Sequence, residues 1–156
     1  MRRKWILWLG AFVLVLTLFT VLSGCTTTET NTEPKMATLS ETSIQKAEIT
    51  NLSAQEAYSL IQEKMDDPDF KIIDVRTPDE YNSGHVEGAI NIDYNSDTFK
   101  DIMAELDRTG EYLVYCRSGA RSSGAVKVME ELGFTMIYHM GGGIIEWSSE
   151  GLPFAR

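Results

Sequence analysis

Cysteine is almost absent from this chain: its 156 residues include two, Cys25 and Cys116. Two cysteines cannot make the disulfide framework that staples many small exported domains. Positive charge is also scarce. Fourteen Lys and Arg stand against 23 Asp and Glu, a formal net charge of −9. Such a balance leaves no electrostatic footprint for nucleic acid or for an anionic lipid surface. No internal repeat is present. The length leaves room for one ordinary domain plus an appendage.

The appendage is the N-terminus. Arg2, Arg3 and Lys4 precede an 18-residue apolar stretch, Trp5 to Leu22. A charged start, an apolar run and small residues at its end make the plan of a signal peptide. The run is also long enough to be an uncleaved membrane anchor. Leu22-Ser23-Gly24-Cys25 favours cleavage, because it resembles the lipobox of bacterial lipoproteins. The resemblance implies a lipoprotein signal peptide over residues 1–24 and a diacylglycerol, with palmitate as an acyl chain, carried on the Cys25 sulfur. It also implies a location on the extracytoplasmic face of the cell membrane. Removing three basic residues and no acidic one takes the net charge from −9 to −12, so lipid and not charge would hold the protein there. Residues 25–46, rich in Thr, Glu, Ser and Asn, read as a flexible stalk. About 20 such residues reach on the order of 25 Å. The ordered domain is expected over residues 47–156.

Within that domain strands and helices alternate. Ile49 to Leu52 reads as a short edge strand. Ser53-Ala54-Gln55-Glu56 is a capping box, followed by Ala57, Leu60, Ile61 and Met65 at helical spacing. Phe70 to Val75 is an apolar strand. Thr77-Pro78-Asp79-Glu80 offers a cap, a proline at the first helical position and an acid at the third. Ala89 to Ile92 is a brief strand, and Phe99, Ile102, Met103 and Leu106 mark a helical face. Tyr112 to Tyr115 is a strand, Ala125 to Leu132 a helix ended by Gly133, Thr135 to Tyr138 a strand, and Ile144 to Ser148 a last short helix. This order predicts a small α/β domain with a parallel sheet and helices on both faces.

In such sheets the chemistry lies at the carboxyl ends of the strands. There the chain places Cys116-Arg117-Ser118-Gly119-Ala120-Arg121-Ser122. A glycine lets a tight loop turn its N–H groups inward, and the next helix adds its positive end. A thiol of ordinary pKa, about 8.5, is roughly 3% ionised at pH 7; lowering it by two units makes it mostly thiolate. Arg121 can brace the loop or add charge, Arg117 can draw in an anion, and Ser118 and Ser122 offer hydroxyls. A cysteine at a strand end is often only a small buried hydrophobe. The company of a glycine and two arginines points instead to a reactive thiol.

These residues resemble the rhodanese domains, a family of sulfurtransferases. The loop from Cys116 to Ser122 is similar to their active-site loop. Asp74-Val75-Arg76-Thr77-Pro78-Asp79-Glu80-Tyr81, followed by Gly84-His85-Val86-Glu87-Gly88-Ala89-Ile90-Asn91-Ile92, resembles their upstream signature. Gly141-Gly142-Gly143-Ile144-Ile145-Glu146-Trp147 and Gly151-Leu152-Pro153 resemble their closing segment. The likeness runs from about Ile49 to Phe154. It implies a thiosulfate:cyanide sulfurtransferase-like enzyme. Cys116 would take sulfane sulfur from a small donor such as thiosulfate and pass it to a thiophilic acceptor, a small molecule or a thiol protein. The amides of Arg117, Ser118, Gly119, Ala120, Arg121 and Ser122 would hold the persulfide. Neither metal nor organic cofactor is implied, and a monomer is the default. Phosphatases and arsenate reductases share the fold with a loop one residue longer. The four residues between Cys116 and Arg121 suit a sulfur atom better than a tetrahedral oxyanion.

Other residues carry smaller expectations. Asp74 and Arg76 would form an ion pair supporting the loop, Glu80 a cap, and His85 part of a structural turn. Gly141 to Gly143 would let the backbone pass close to the site. The competing functions are a rhodanese-like binding module without turnover and a redox sensor. The intact cysteine argues against the first. The lack of a resolving thiol argues against a self-contained version of the second.

Overall fold

A computed structural model describes residues 46–156. The signal segment, Cys25 and nearly all of the stalk lie outside the described residues. Five strands form one parallel sheet: β1 (Glu48–Leu52), β2 (Phe70–Asp74), β3 (Ala89–Asn91), β4 (Glu111–Tyr115) and β5 (Met136–Met140), in the order β1-β5-β4-β2-β3. Parallel strands need crossovers, and four helices supply them, α1 (Ala54–Lys64), α2 (Pro78–Asn82), α3 (Phe99–Ala104) and α4 (Ala120–Leu132); a fifth, α5 (Gly143–Ser149), follows β5.

The sheet is covered on both faces, so its central strands are apolar on both sides. In β4, Tyr112, Leu113, Val114 and Tyr115 are all buried. Alternation sends them to different cores. Ile73, Tyr112, Val114 and Cys116 pack with Phe99 and Met103 of α3 and with Ala125, Val126 and Met129 of α4. Ile72, Leu113 and Tyr115 pack with Ala54, Ala57 and Ile61 of α1 and with Ile144 and Trp147 of α5. Cys116 therefore continues the α3/α4 side of β4 just past its last residue.

Local signals fix the helix starts. Ser53 accepts from the Glu56 N–H while the Glu56 carboxylate accepts from the Ser53 N–H, at 3.3 and 2.9 Å. Thr77 and Glu80 repeat the arrangement at α2, with Pro78 at the first helical position. Gly133 ends α4 in a left-handed conformation, φ +87°.

One strand differs from expectation. β5 does not stop at Tyr138 but continues through His139 and Met140, in register with Leu52 of β1 and Tyr115 of β4. A histidine interrupts the apolar run, yet it stays in the ladder because both ring nitrogens find partners outside the strand. No helix among the described residues is long and apolar enough to cross a membrane.

Candidate active site

The carboxyl end of β4 meets the N-terminus of α4 with four residues between, Cys116 to Gly119. Gly119 stands before the helix at φ +89°, with no side-chain cap. The first amides of a 13-residue helix are thus not consumed by a capping side chain. Among them the Ser122 N–H turns toward the Cys116 sulfur, joined by the loop N–H groups of Ser118 and Gly119. Burial alone would raise the Cys116 thiol pKa. The Ser122 hydroxyl and the backbone N–H groups of Ser122, Ser118 and Gly119 outweigh it, leaving the thiol below its ordinary value. Each of these groups donates to the charged form, which is why the anion is favoured. Cys116 is the free cysteine among the described residues, 1% exposed at the floor of the loop.

Two glycines bring a second backbone against the loop. Ile144 and Ile145 donate their N–H groups to the carbonyls of Cys116 and Arg117, at 2.9 and 3.2 Å. A Cβ on Gly143 would fall 2.5 Å from the Cys116 carbonyl oxygen. A Cβ on Gly119 would overlap the Gly141 carbonyl. The close approach expected of Gly141 to Gly143 is therefore present, and it is backbone on backbone.

The loop side chains divide by position. Arg117 and Ser118 are exposed, and Arg117 has no acidic partner among the described residues. Ala120 is exposed as well. Arg121 is engaged: its two terminal nitrogens donate to the Glu80 carboxylate at 2.6 and 2.8 Å. Of the two roles open to Arg121 from sequence, the geometry makes it the brace, since its fork is filled by the carboxylate. Glu80 is a cap, as expected, and also the anchor of the loop. Ser122 is fully buried and faces the sulfur at 3.5 Å.

Asp74 and Arg76 form a buried pair, 2.6 Å between Arg76 Nη2 and Asp74 Oδ2. Its third partner is the Gly84 carbonyl at 2.8 Å, not the cysteine loop. The pair thus ties the end of β2 to the turn before β3. His85 belongs to that turn: its ring stacks on Tyr81 at 3.8 Å and its Nδ1 lies 3.1 Å from the Tyr81 carbonyl.

Sequence reasoning missed two residues. His139, 8% exposed, places Nε2 at 2.9 Å from the Ser122 hydroxyl and Nδ1 at 3.1 Å from the Asn51 amide oxygen. A polar residue inside an apolar run was the one signal available for His139; Asn51 offered none. Among the described residues no three His, Cys, Asp or Glu side chains are grouped to hold a metal ion.

The Glu80–Arg121 brace has a measurable pH signature. Arg121 above all holds the Glu80 carboxyl down to about 2 from 4.5; burial opposes it, and the N–H and hydroxyl of Thr77 add smaller lowering effects. A depressed carboxyl stabilises the fold above its unfolded value and loses that contribution as pH falls. Glu80→Gln should therefore be less stable at pH 7 by about 1–2 kcal/mol, allowing for solvent screening of a partly exposed pair. The deficit should shrink between about pH 4.5 and pH 2, where the parent curve falls toward the variant's. Urea melts across that range check it; a deficit independent of pH would contradict the assignment.

The family model for the rhodanese-like domain matches residues 53–150. A sulfurtransferase of Allochromatium vinosum is 33% identical over 98 residues, covering 63% of this chain and 90% of that protein. The tRNA uridine(34) hydroxylase of Yersinia pestis is 36% identical over 103 residues, 60% of this chain, and the match spans 28% of the hydroxylase. Among solved structures, the polysulfide-sulfur transferase homodimer of Wolinella succinogenes superposes with a TM-score of 0.56 at 35% identity, covering 69% of this chain and 78% of that one.

Proposed function

The chain belongs to the rhodanese-like domain family, and from that premise we propose that it is a sulfurtransferase working through a persulfide on Cys116. The observation that carries the reading is the convergence of three backbone N–H groups and one hydroxyl on a single sulfur. Relatives named as a sulfurtransferase and a polysulfide-sulfur transferase support the reaction class.

The Cys116 thiolate attacks the outer sulfur of a donor such as thiosulfate. The Cys116 S–S bond forms as the donor's S–S bond breaks, and sulfite leaves with the electron pair. The persulfide anion then lies where the amides and the Ser122 hydroxyl can spread its charge. These donors are fixed before the reaction and need no reorganisation when the charge arrives. A thiolate or cyanide acceptor attacks the outer sulfur, and Cys116 leaves as thiolate. Arg117, exposed at the rim, attracts the anionic donor; Arg121 keeps the loop shaped and does not touch the substrate.

No second thiol stands among the described residues, so an external acceptor must complete the cycle. The purified protein mixed with thiosulfate alone should release about one equivalent of sulfite per chain and stop. Adding cyanide or a small thiol should restart release as steady turnover. Sustained turnover without acceptor would overturn this scheme, and no release under either condition would favour a binding module.

The sequence pattern of residues 1–25 supports the remaining part of the proposal: signal cleavage, acylation of Cys25, and display on the extracytoplasmic face. Metabolic labelling with a palmitate analogue tests it. Label in the parent and none in Cys25→Ala is the expected result; equal label in both contradicts it.

A further inference from the structure

A single hydroxyl, that of Ser122, connects the Cys116 sulfur to a buried imidazole, and Asn51 holds the far side of the ring. Cys116 Sγ is 3.5 Å from Ser122 Oγ, Ser122 Oγ is 2.9 Å from His139 Nε2, and His139 Nδ1 is 3.1 Å from Asn51 Oδ1. The four residues come from four elements or their ends: β4, α4, β5 and β1. Cys116 and Ser122 are essentially sealed, and His139 nearly so.

The hydrogens follow from the inventory of donors and acceptors. Asn51 Oδ1 accepts only, so the proton of a neutral His139 sits on Nδ1. Nε2 is then bare and, at 2.9 Å, accepts the single hydrogen of the Ser122 hydroxyl ahead of the Gly119 carbonyl at 3.1 Å. Ser122 has none left for the sulfur, and its oxygen accepts the Cys116 S–H. Each group is satisfied, but the thiol is protonated. The thiolate requires the opposite polarity: Ser122 donates to sulfur, and Nε2 carries a hydrogen that it donates to Ser122. One concerted shift converts the first state into the second. Cys116 gives its proton to Ser122 Oγ, and Ser122 gives its own to His139 Nε2. The products are thiolate and imidazolium, with Ser122 unchanged and no atom unaccounted for.

We propose that His139 is the proton acceptor for Cys116, acting through the Ser122 hydroxyl and oriented by Asn51. His139 touches neither donor nor acceptor sulfur, so it is a positioning residue and not a catalytic one. The arrangement has the logic of a nucleophile, a base and an orienting third group, with a hydroxyl interposed. The groups facing the imidazole are Asn51 from β1, Ser122 from α4 and, beyond it, the sulfur. No charged side chain among the described residues bears on the ring, and burial alone disfavours its charged form. The imidazolium is therefore favoured only when the thiolate is present to pair with it, which couples the two titrations.

The inference rests on Cys116 being a working thiol, but it can be read without any sulfur donor. Iodoacetamide alkylation of Cys116 followed against pH measures the thiolate directly. His139→Gln keeps an amide that can donate to Ser122, so the hydrogen bonds of the thiolate state survive, but it cannot take the proton and so supplies no imidazolium charge to pair with the thiolate. The relay predicts that alkylation at pH 7 slows about tenfold in this variant and that its inflection moves to higher pH. A merely structural histidine would be rescued by glutamine, so an unchanged profile overturns the proposal. Where the variant fails to fold, histidine NMR on the parent and on Cys116→Ser decides. His139 should titrate at lower pH once the thiol is gone; the same inflection in both overturns the relay. A coupled titration in a protein that never forms persulfide would defeat the transfer reading and leave the relay standing.

Discussion

Cys116→Ser is expected to take sulfur transfer to the background of the assay while moving the melting temperature by no more than about 3 °C. The replacement hydroxyl fits the same floor of the loop and finds the same donors, Ser118, Gly119 and Ser122. What it cannot do is ionise near neutral pH or form a bond to sulfane sulfur. The separation of the two effects is the point. A cysteine retained only as a small buried hydrophobe would show a change in stability and none in activity. Thermal unfolding beside a sulfite-release assay distinguishes the cases, and residual turnover above background would contradict the role given to Cys116.

The second large effect belongs to Gly119. Gly119→Ala adds a Cβ at a residue whose φ is +89° and drives that carbon into the Gly141 carbonyl. Left-handed backbone costs a non-glycine residue about 1–2 kcal/mol before any clash. Neither backbone yields easily. The loop is held by Glu80 through Arg121, and the glycine turn is held by the bonds of Ile144 and Ile145 to the loop carbonyls. The expected outcome is a loss of about 2–4 kcal/mol in stability. Transfer should fall at least 100-fold, because amides displaced by a fraction of an ångström no longer converge on the sulfur. The surviving folded fraction should also show slower alkylation of Cys116 at pH 7. Normal alkylation with lost stability would mean that the loop amides do not set the thiol's acidity.

The parts of this arrangement that a reader of the sequence can find are those written locally. Both capping boxes lie within four consecutive residues, and both helices begin where they say. The cysteine loop is legible because thiol, glycine and helix start sit in seven consecutive positions. Alternating strands and helices likewise announce the parallel sheet. The missing parts depend on pairing across long distances. Glu80 reads as a cap, but nothing near it points to Arg121, 41 residues away. Asn51 is an unremarked residue of an edge strand until β5 lies beside it and His139 reaches it across 88 residues. The sequence pattern places a strand over Thr135 to Tyr138, short of the histidine that follows. β5 continues because Asn51 and Ser122 satisfy that histidine, and both are brought there by the fold. The Asp74–Arg76 pair was legible as a pair, while its attachment to Gly84 in place of the cysteine loop was not.

The measurement that bears most directly on the central claim is the intact mass of the purified protein before and after thiosulfate. A persulfide on Cys116 predicts a gain of about 32 Da, reversed by a thiol and absent from Cys116→Ser. A protein whose Cys116 is reduced and alkylates normally, yet gains no mass with thiosulfate or with polysulfide, would contradict the claim that this loop is built to carry sulfur.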